Sequence, residues 1–287
     1  MLVTHTADEA DVTLEVWRAP EWEVMHGVSV EMTGGSSIEP WDNGISLVVQ
    51  EKEQRIFTTL TRNATLAGHP DAERRPDAII HRWAPELLGG IDDPVTPEGY
   101  EDHVEKELRW LRTDGQVLVA SGDFLAGALS GLPHSGAFVK VWKINPTCLE
   151  EWCTFPVEDR GTFSLLLLGD LLMCTAKDGA GVPALAIHSV SQRATLRKVP
   201  FPINISSRYN ETLMMNTVPP PPQLLGFDEM GSTLVFATEA PVDDSVDVSP
   251  GFVEGGVFSR LTRSQRPQTG AGRAAPTLLV HELSGIW

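Results

Sequence analysis

Between Phe163 and Phe201 the chain falls into four short runs of strand-forming residues, each closed by a turn. Phe163–Leu168 is an apolar run, and Gly169-Asp170 supplies a tight turn. Leu171–Thr175 follows, and Lys177-Asp178-Gly179 turns the chain again. Ala184–His188 and Ala194–Phe201 complete the series. Runs of about five or six residues cut by Gly and Asp predict a four-stranded antiparallel meander, because those residues adopt the backbone conformations that reverse a chain quickly.

The same cadence returns, less evenly, along the chain. Leu2–Thr6 and Val12–Trp17 flank an acidic turn, with Glu21–Met25 as a third strand. Val28–Met32, Ile45–Gln50, Arg55–Leu60 and Ile79–Trp83 make a looser unit. Residues 86–107 are acidic and broken by Pro94 and Pro97, which predicts a solvated insertion with a short helix from about Glu98. In the next unit Leu108–Arg112, a Thr113-Asp114-Gly115 turn and Val117–Ser121 precede a Gly-rich loop over 122–136, then Phe138–Ile144 and Leu149–Val157. Pro219–Pro222 reads as an extended crossover. Gln223–Phe227, Thr233–Thr238, Val257–Leu261 and Thr277–Leu283 are the last strands, the third of these inside a polar loop over 239–276.

Beneath the cadence lies a repeat. LEVW at 14–17, IHRW at 80–83, VKVW at 139–142, LAIH at 185–188 and LLVH at 278–281 each end a short strand-type run in Trp or His. VLVAS at 117–121, LLMCT at 171–175 and LVFAT at 234–238 each end in Ser or Thr. Repetition at such spacing indicates a propeller or a solenoid, and the uneven loops favour a propeller. The expected fold is therefore all-β, a β-propeller of about five or more four-stranded units. It would form a single domain over 1–287, with polar insertions near 86–107 and 239–276. The pattern resembles the WD-repeat family, in which the second strand ends in Ser or Thr and the third in Trp. That resemblance implies a hydrogen bond between Ser121 and Trp142, and another between Thr175 and His188. The Asp that follows Trp in the family is absent: Arg18, Ala84, Lys143, Ser189 and Glu282 stand there. Divergent propellers of F-box-type adaptor proteins are similar, which implies a substrate-recognition or adaptor role. The chain opens without a leading strand, so residues 1–24 are expected to share a unit with the C-terminal strands, through Ile286 and Trp287; loss of upstream sequence, leaving an incomplete ring, is the alternative.

Charge narrows the partner. A net charge of −17 repels phosphates and anionic lipid, so neither nucleic acid nor a membrane is expected as partner. No apolar run is long enough to span a bilayer, and the acidic start MLVTHTADEADV lacks the features of a signal peptide. Cys148, Cys153 and Cys174 are too few for a disulfide framework, which fits an intracellular setting, cytoplasmic or nuclear. Asn63, Asn204 and Asn210 begin glycosylation triplets; their use would favour a carbohydrate-binding protein instead.

Little in the sequence reads as catalytic. There is no phosphate-binding loop, dinucleotide fingerprint or Gly-x-Ser-x-Gly elbow, so no cofactor is expected. The Cys and His spacings match no zinc site, and Cys174, in an apolar strand, reads as buried and inert. Asp114, Asp170 and Asp228 occupy first-to-second-strand turns, where facing carboxylates would make a glycoside-acting enzyme, the main alternative. The leading expectation is a non-catalytic protein-interaction platform with Trp22, Trp41, Tyr100 and Trp110 as loop-borne aromatic anchors for a protein partner.

Overall fold

The computed structural model describes residues 2–7, 11–18, 20, 23–31, 46–50, 52, 55–64, 75–83, 100–111, 117–131, 136–157, 164–177, 183–201, 222–227, 233–238, 258–260 and 277–282. They fall into two compact units, Met1–Val157 and Glu158–Trp287. Among the described residues every element is a strand and every pairing is antiparallel.

In the first unit β1 (Leu2–Ala7), β2 (Asp11–Arg18) and β3 (Glu23–Glu31) form the first sheet. The second sheet is a meander of β4 (Leu47–Gln50), β5 (Arg55–Ala64), β6 (Arg75–Trp83) and β7 (Tyr100–Glu105). The third comprises β8 (Leu108–Trp110), β9 (Leu118–Ser121), β10 (Phe124–Gly131), β11 (Ala137–Ile144) and β12 (Leu149–Val157). In the second unit β13 (Leu165–Leu168), β14 (Leu171–Lys177), β15 (Pro183–Ser189) and β16 (Ala194–Pro200) make the fourth sheet. The fifth is β17 (Gln223–Phe227), β18 (Thr233–Thr238), β20 (Thr277–Glu282) and β19 (Phe258–Arg260), in that spatial order.

Several expectations need correcting. Val28 belongs to β3, not to a new unit. Within the acidic stretch Tyr100–Glu105 is strand β7, paired with β6 over its whole length, in place of the expected helix; residues 86–99 of the expected insertion lie outside the described residues. The Gly-rich segment contains β10, a central strand buried along nearly all its length. β8 and β9 lie end to end along one side of β10, so together they are the first strand of that sheet. VLVAS is thus part of a first strand, and the turn equivalent to Gly169-Asp170 is Gly122-Asp123, not the one containing Asp114. Both glycines take positive φ, 56° and 57°, as a two-residue hairpin with Gly first requires. Ile286 and Trp287 lie outside the described residues.

The Trp/His repeat becomes a register. In each sheet that residue pairs with an aliphatic one on a neighbouring strand: Leu2 of β1 with Trp17 of β2 in the first sheet and, from second strand to third in the others, Ile56 with Trp83, Leu125 with Trp142, Leu172 with His188 and Leu234 with His281. A register shift falls just before the ring in three sheets, at Val16/Trp17, Val141/Trp142 and Ile187/His188. Side chains alternate faces along a strand, so Thr175, an odd number of residues from Leu172, lies on the face opposite His188. The Thr175–His188 bond implied by the family resemblance is therefore not made. Thr175 Oγ1 instead accepts from the Ser164 N–H at 2.9 Å, as Thr59 Oγ1 does from Ser46 at 2.6 Å. Ser121 is likewise no partner for Trp142, whose indole bonds Glu105.

Diagonal to the ring lie Thr58, Gly127 and Cys174, the last one residue before the expected Thr175 and the second on β10 in place of the expected Ser121 of β9. Trp83 Nε1 donates to Thr58 Oγ1 at 2.9 Å, and Cys174 Sγ is 3.6 Å from His188 Nε2. At Gly127 two indoles converge. A Cβ there would come within 2.7 Å of Trp110 and 3.0 Å of Trp142.

The sheets stack on unlike faces. The Trp142 face of the third sheet, with Leu118, Leu125, Leu129 and Trp110, packs on Val48, Phe57, Ala78 and Ile80, the face of the second sheet turned away from Trp83. In the second unit Leu234 and Phe236 pack on Leu171, Met173, Leu185 and Ile187, the face turned away from His188. Phe201 meets Phe236 edge-on at 5.1 Å. Gly127→Ala should therefore destabilise the protein by about 1–3 kcal/mol through overpacking, while Gly136→Ala, with open space around it, should be close to neutral. Urea midpoints check this; equal midpoints would refute the packing account.

Candidate functional site

Polar groups concentrate where the third sheet meets the second. Glu105, at the end of β7, pairs with Ala78 and so points the same way as Ile80, toward the third sheet. Val157 and Phe201 occupy the equivalent place, opposite the residue five before the ring. The carboxylate accepts from Lys140 Nζ at 2.9 Å, from Trp142 Nε1 at 3.1 Å and lies 2.9 Å from His103 Nε2. Lys140 also meets Glu151 at 2.8 Å. Nearby, Trp110 Nε1 donates to Leu60 O at 3.0 Å and Arg82 Nη1 to Asn145 O at 2.7 Å. Arg55 reaches Gly122 O at 3.1 Å and the Asp123 carboxylate at 3.3 Å.

Burial pushes the Glu105 carboxyl up, but hydrogen bonds from His103, Lys140 and Trp142, with the Lys140 charge, outweigh it and hold the carboxyl at about 2. Burial opposes the Lys140 charge, and Glu151 and Glu105 outweigh that and raise its pKa. A carboxylate ionised throughout the neutral range, with both oxygens engaged, is poorly matched to general acid or base work. The arrangement clips two sheets together.

The expected sites fall out as follows. Trp110 stands on β8, 5% exposed with its N–H spent on Leu60, so it is a core residue and not a loop-borne anchor. Tyr100 opens β7 opposite Trp83. Trp22, Trp41, Asp114 and Asp228 lie outside the described residues, as do Asn204 and Asn210, and Asn63 is near the end of β5. Asp170 braces its own hairpin against the β15–β16 turn. It accepts from Ser189 Oγ at 2.6 Å, the Ser191 N–H at 2.6 Å and Ser191 Oγ at 3.0 Å. Burial raises its pKa, but these bonds outweigh it and the net shift is downward. Cys174 and His188 have the contact of a nucleophile and its base but the wrong electrostatics. Burial pushes the thiol up to about 12, against which Lys198 acts weakly; burial first and Lys198 second push the imidazole down to about 4. Both are neutral at neutral pH, and His188 Nδ1 is 2.9 Å from Thr195 Oγ1. Among the described residues no His, Cys, Asp and Glu side chains gather in a group suited to a metal ion, and no helix is long and apolar enough to cross a membrane.

Sequence reasoning missed Glu105. Its signal was available in the fourth strands: HVE at 103–105 aligns with FPV at 155–157 and with VPF at 199–201, so an acid stands in an apolar slot.

No family model and no curated protein matches the chain. Among solved structures it is similar to Porphyromonas gingivalis dipeptidyl peptidase 4, at 8% identity and a TM-score of 0.47 over 83% of this chain and 34% of that one. It is also similar to Trypanosoma rangeli sialidase, at 6% identity and a TM-score of 0.42 over 97% and 51% of the two chains. TolB from Acinetobacter baumannii matches at 8% identity and a TM-score of 0.38 over 83% and 62%. The match thus takes in less than two thirds of each of these proteins.

Two outcomes follow from the electrostatics. The Glu105 carboxyl has a folded-state pKa of about 2 against an ordinary 4.5, so the stability it contributes is present above the ordinary value and lost as pH falls from there through 2. Glu105→Gln should cost about 1–3 kcal/mol at neutral pH and flatten the fall of the melting temperature in acid. Parallel wild-type and variant curves would remove Glu105 from that account. Separately, a thiol reagent near neutral pH should label exposed Cys148 quickly and Cys174 only after urea unfolding; rapid native labelling of Cys174 would contradict its burial.

Proposed function

We propose that the chain is a β-propeller whose sheets are its blades, acting as a non-catalytic platform for a protein partner, in an adaptor or substrate-recognition role. The observation that carries this reading is where the internal polar groups go. Glu105 and Lys140 join one sheet to the next, Asp170 braces a hairpin, and Cys174 with His188 form a neutral core pair. Each of these titratable groups holds the scaffold, and each is tuned away from proton or electron-pair transfer near neutral pH. The repeated register and the stacking of unlike faces support the propeller, since head-to-tail interfaces of that kind generate rings. A rigid scaffold of this type leaves recognition to its loops and rims.

The test is a reconstitution. A candidate partner captured from native extract should, once both proteins are pure, bind by calorimetry at a fixed stoichiometry with micromolar or better affinity, roughly −8 kcal/mol. Catalytic turnover of a panel of glycosides or peptides, scaling with protein concentration and retained through purification, would overturn the non-catalytic reading.

A further inference from the structure

Outer strands are open to pairing with other chains unless something blocks them, and bulges, proline, charge and shortness are the usual blocks. The fourth strands described here differ in how they are blocked. Opposite the residue four before the ring, β12 carries Pro156 and β16 carries Pro200. The Phe201 N–H points inward to Pro183 O at 2.9 Å, so its neighbour Pro200 turns its missing N–H to the open side. Both strands also carry a register shift beside the ring. β3 has Ser29 at the proline position but keeps the shift. β19 has three residues. β7 departs from all of these. It runs six residues, holds an unbroken register from Ala78↔Glu105 to Trp83↔Tyr100, and has Val104 where β12 and β16 have proline. Among the described residues its outer side is unpaired.

Charge selects what could pair there. Tyr100–Glu107 reads YEDHVEKE; apart from Glu105, whose carboxylate is held by Lys140 and Trp142, it carries Glu101, Asp102 and Glu107 against one lysine, Lys106. The chain as a whole carries −17. A second copy of β7 would bring like charges face to face, whereas an extended basic segment would be drawn in and could then extend the backbone ladder. We propose that the outer edge of β7 is a docking edge for an extended, lysine- or arginine-rich segment of a partner protein, added as a further strand to the second sheet. Backbone hydrogen bonds would hold the segment and its alternating cations would select it. This deepens the platform reading and rests on it.

The probe is a fluorescein-labelled octapeptide of alternating Lys and Val, titrated into the full chain at low salt and followed by anisotropy. Saturable binding is expected, weakening steeply with added salt, and absent for the Glu/Val counterpart. Val104→Pro, which introduces what β12 and β16 already carry, should weaken binding by about tenfold or more, because it removes an outward N–H and its hydrogen bond; Val104→Ala should bind like wild type. Melting curves establish that the variants fold. Methylating alternate backbone nitrogens of the peptide makes the same test with unaltered protein and should abolish binding. No saturation, equal affinity of folded Val104→Pro and wild type, or undiminished binding of the methylated peptide would each overturn the proposal. Those results would leave the reconstitution with a whole partner as the separate test of the platform.

Discussion

In the second, third and fourth sheets a large flat ring near the end of the third strand must lie on something, and the residue diagonal to it on the second strand decides what. Thr58 offers a hydroxyl to the Trp83 indole. Gly127 gives up its side chain so that Trp110 and Trp142 can both close over the backbone. Cys174 fills the space beside a neutral His188. Much else follows from seating this ring: the aliphatic partner beside it and, in three sheets, the register shift just before it. The core here is organised by one repeated contact more than by general apolarity.

This explains which parts of the fold were legible. The strands from Leu165 to Pro200 were visible because Leu- and Val-rich runs meet Gly and Asp at their ends. The ring repeat was visible because Trp and His are large and distinctive. β10 was hidden because the ring contact demands the small residues that usually mark a loop, so Gly127, Ala126 and Ala128 read as a linker although they are buried. β7 was hidden because its acids suggested solvent, and only tertiary pairing with β6 makes a strand of them. The polar partner of the ring was misplaced by one residue, at Thr175 instead of Cys174, and in a strand one residue is the whole distance between two faces.

The candidate site was less legible for a related reason. Glu105 is one acid among several in a stretch that reads as solvated, and nothing local distinguishes it. Its meaning depends on Lys140 and Trp142, which lie on another sheet. A lone buried carboxylate would be costly, and a buried lysine equally so; together, with His103 and Glu151 sharing the load, they exchange dispersion contact for direction. Where Phe201 meets Phe236 within the second unit the contact is apolar, whereas this junction is closed by hydrogen bonds with preferred angles. It is accordingly the more sensitive of the two to its ionic surroundings.

The stacking of unlike faces has a consequence for how such a chain can change its length. When the ring-bearing face of one sheet rests on the plain face of its neighbour, as at both junctions described, every inserted sheet presents one face of each kind. Copying a sheet within the gene therefore sets a ring-bearing face against a plain one again, and removing one leaves one face of each kind to meet, with only a polar clip such as Glu105–Lys140 tied to its own pair of sheets. Two like faces would have needed a matched pair of changes. The number of sheets is thereby less bound to the pairing of faces, and each copy, once made, is at liberty to drift in its loops while its ring stays seated.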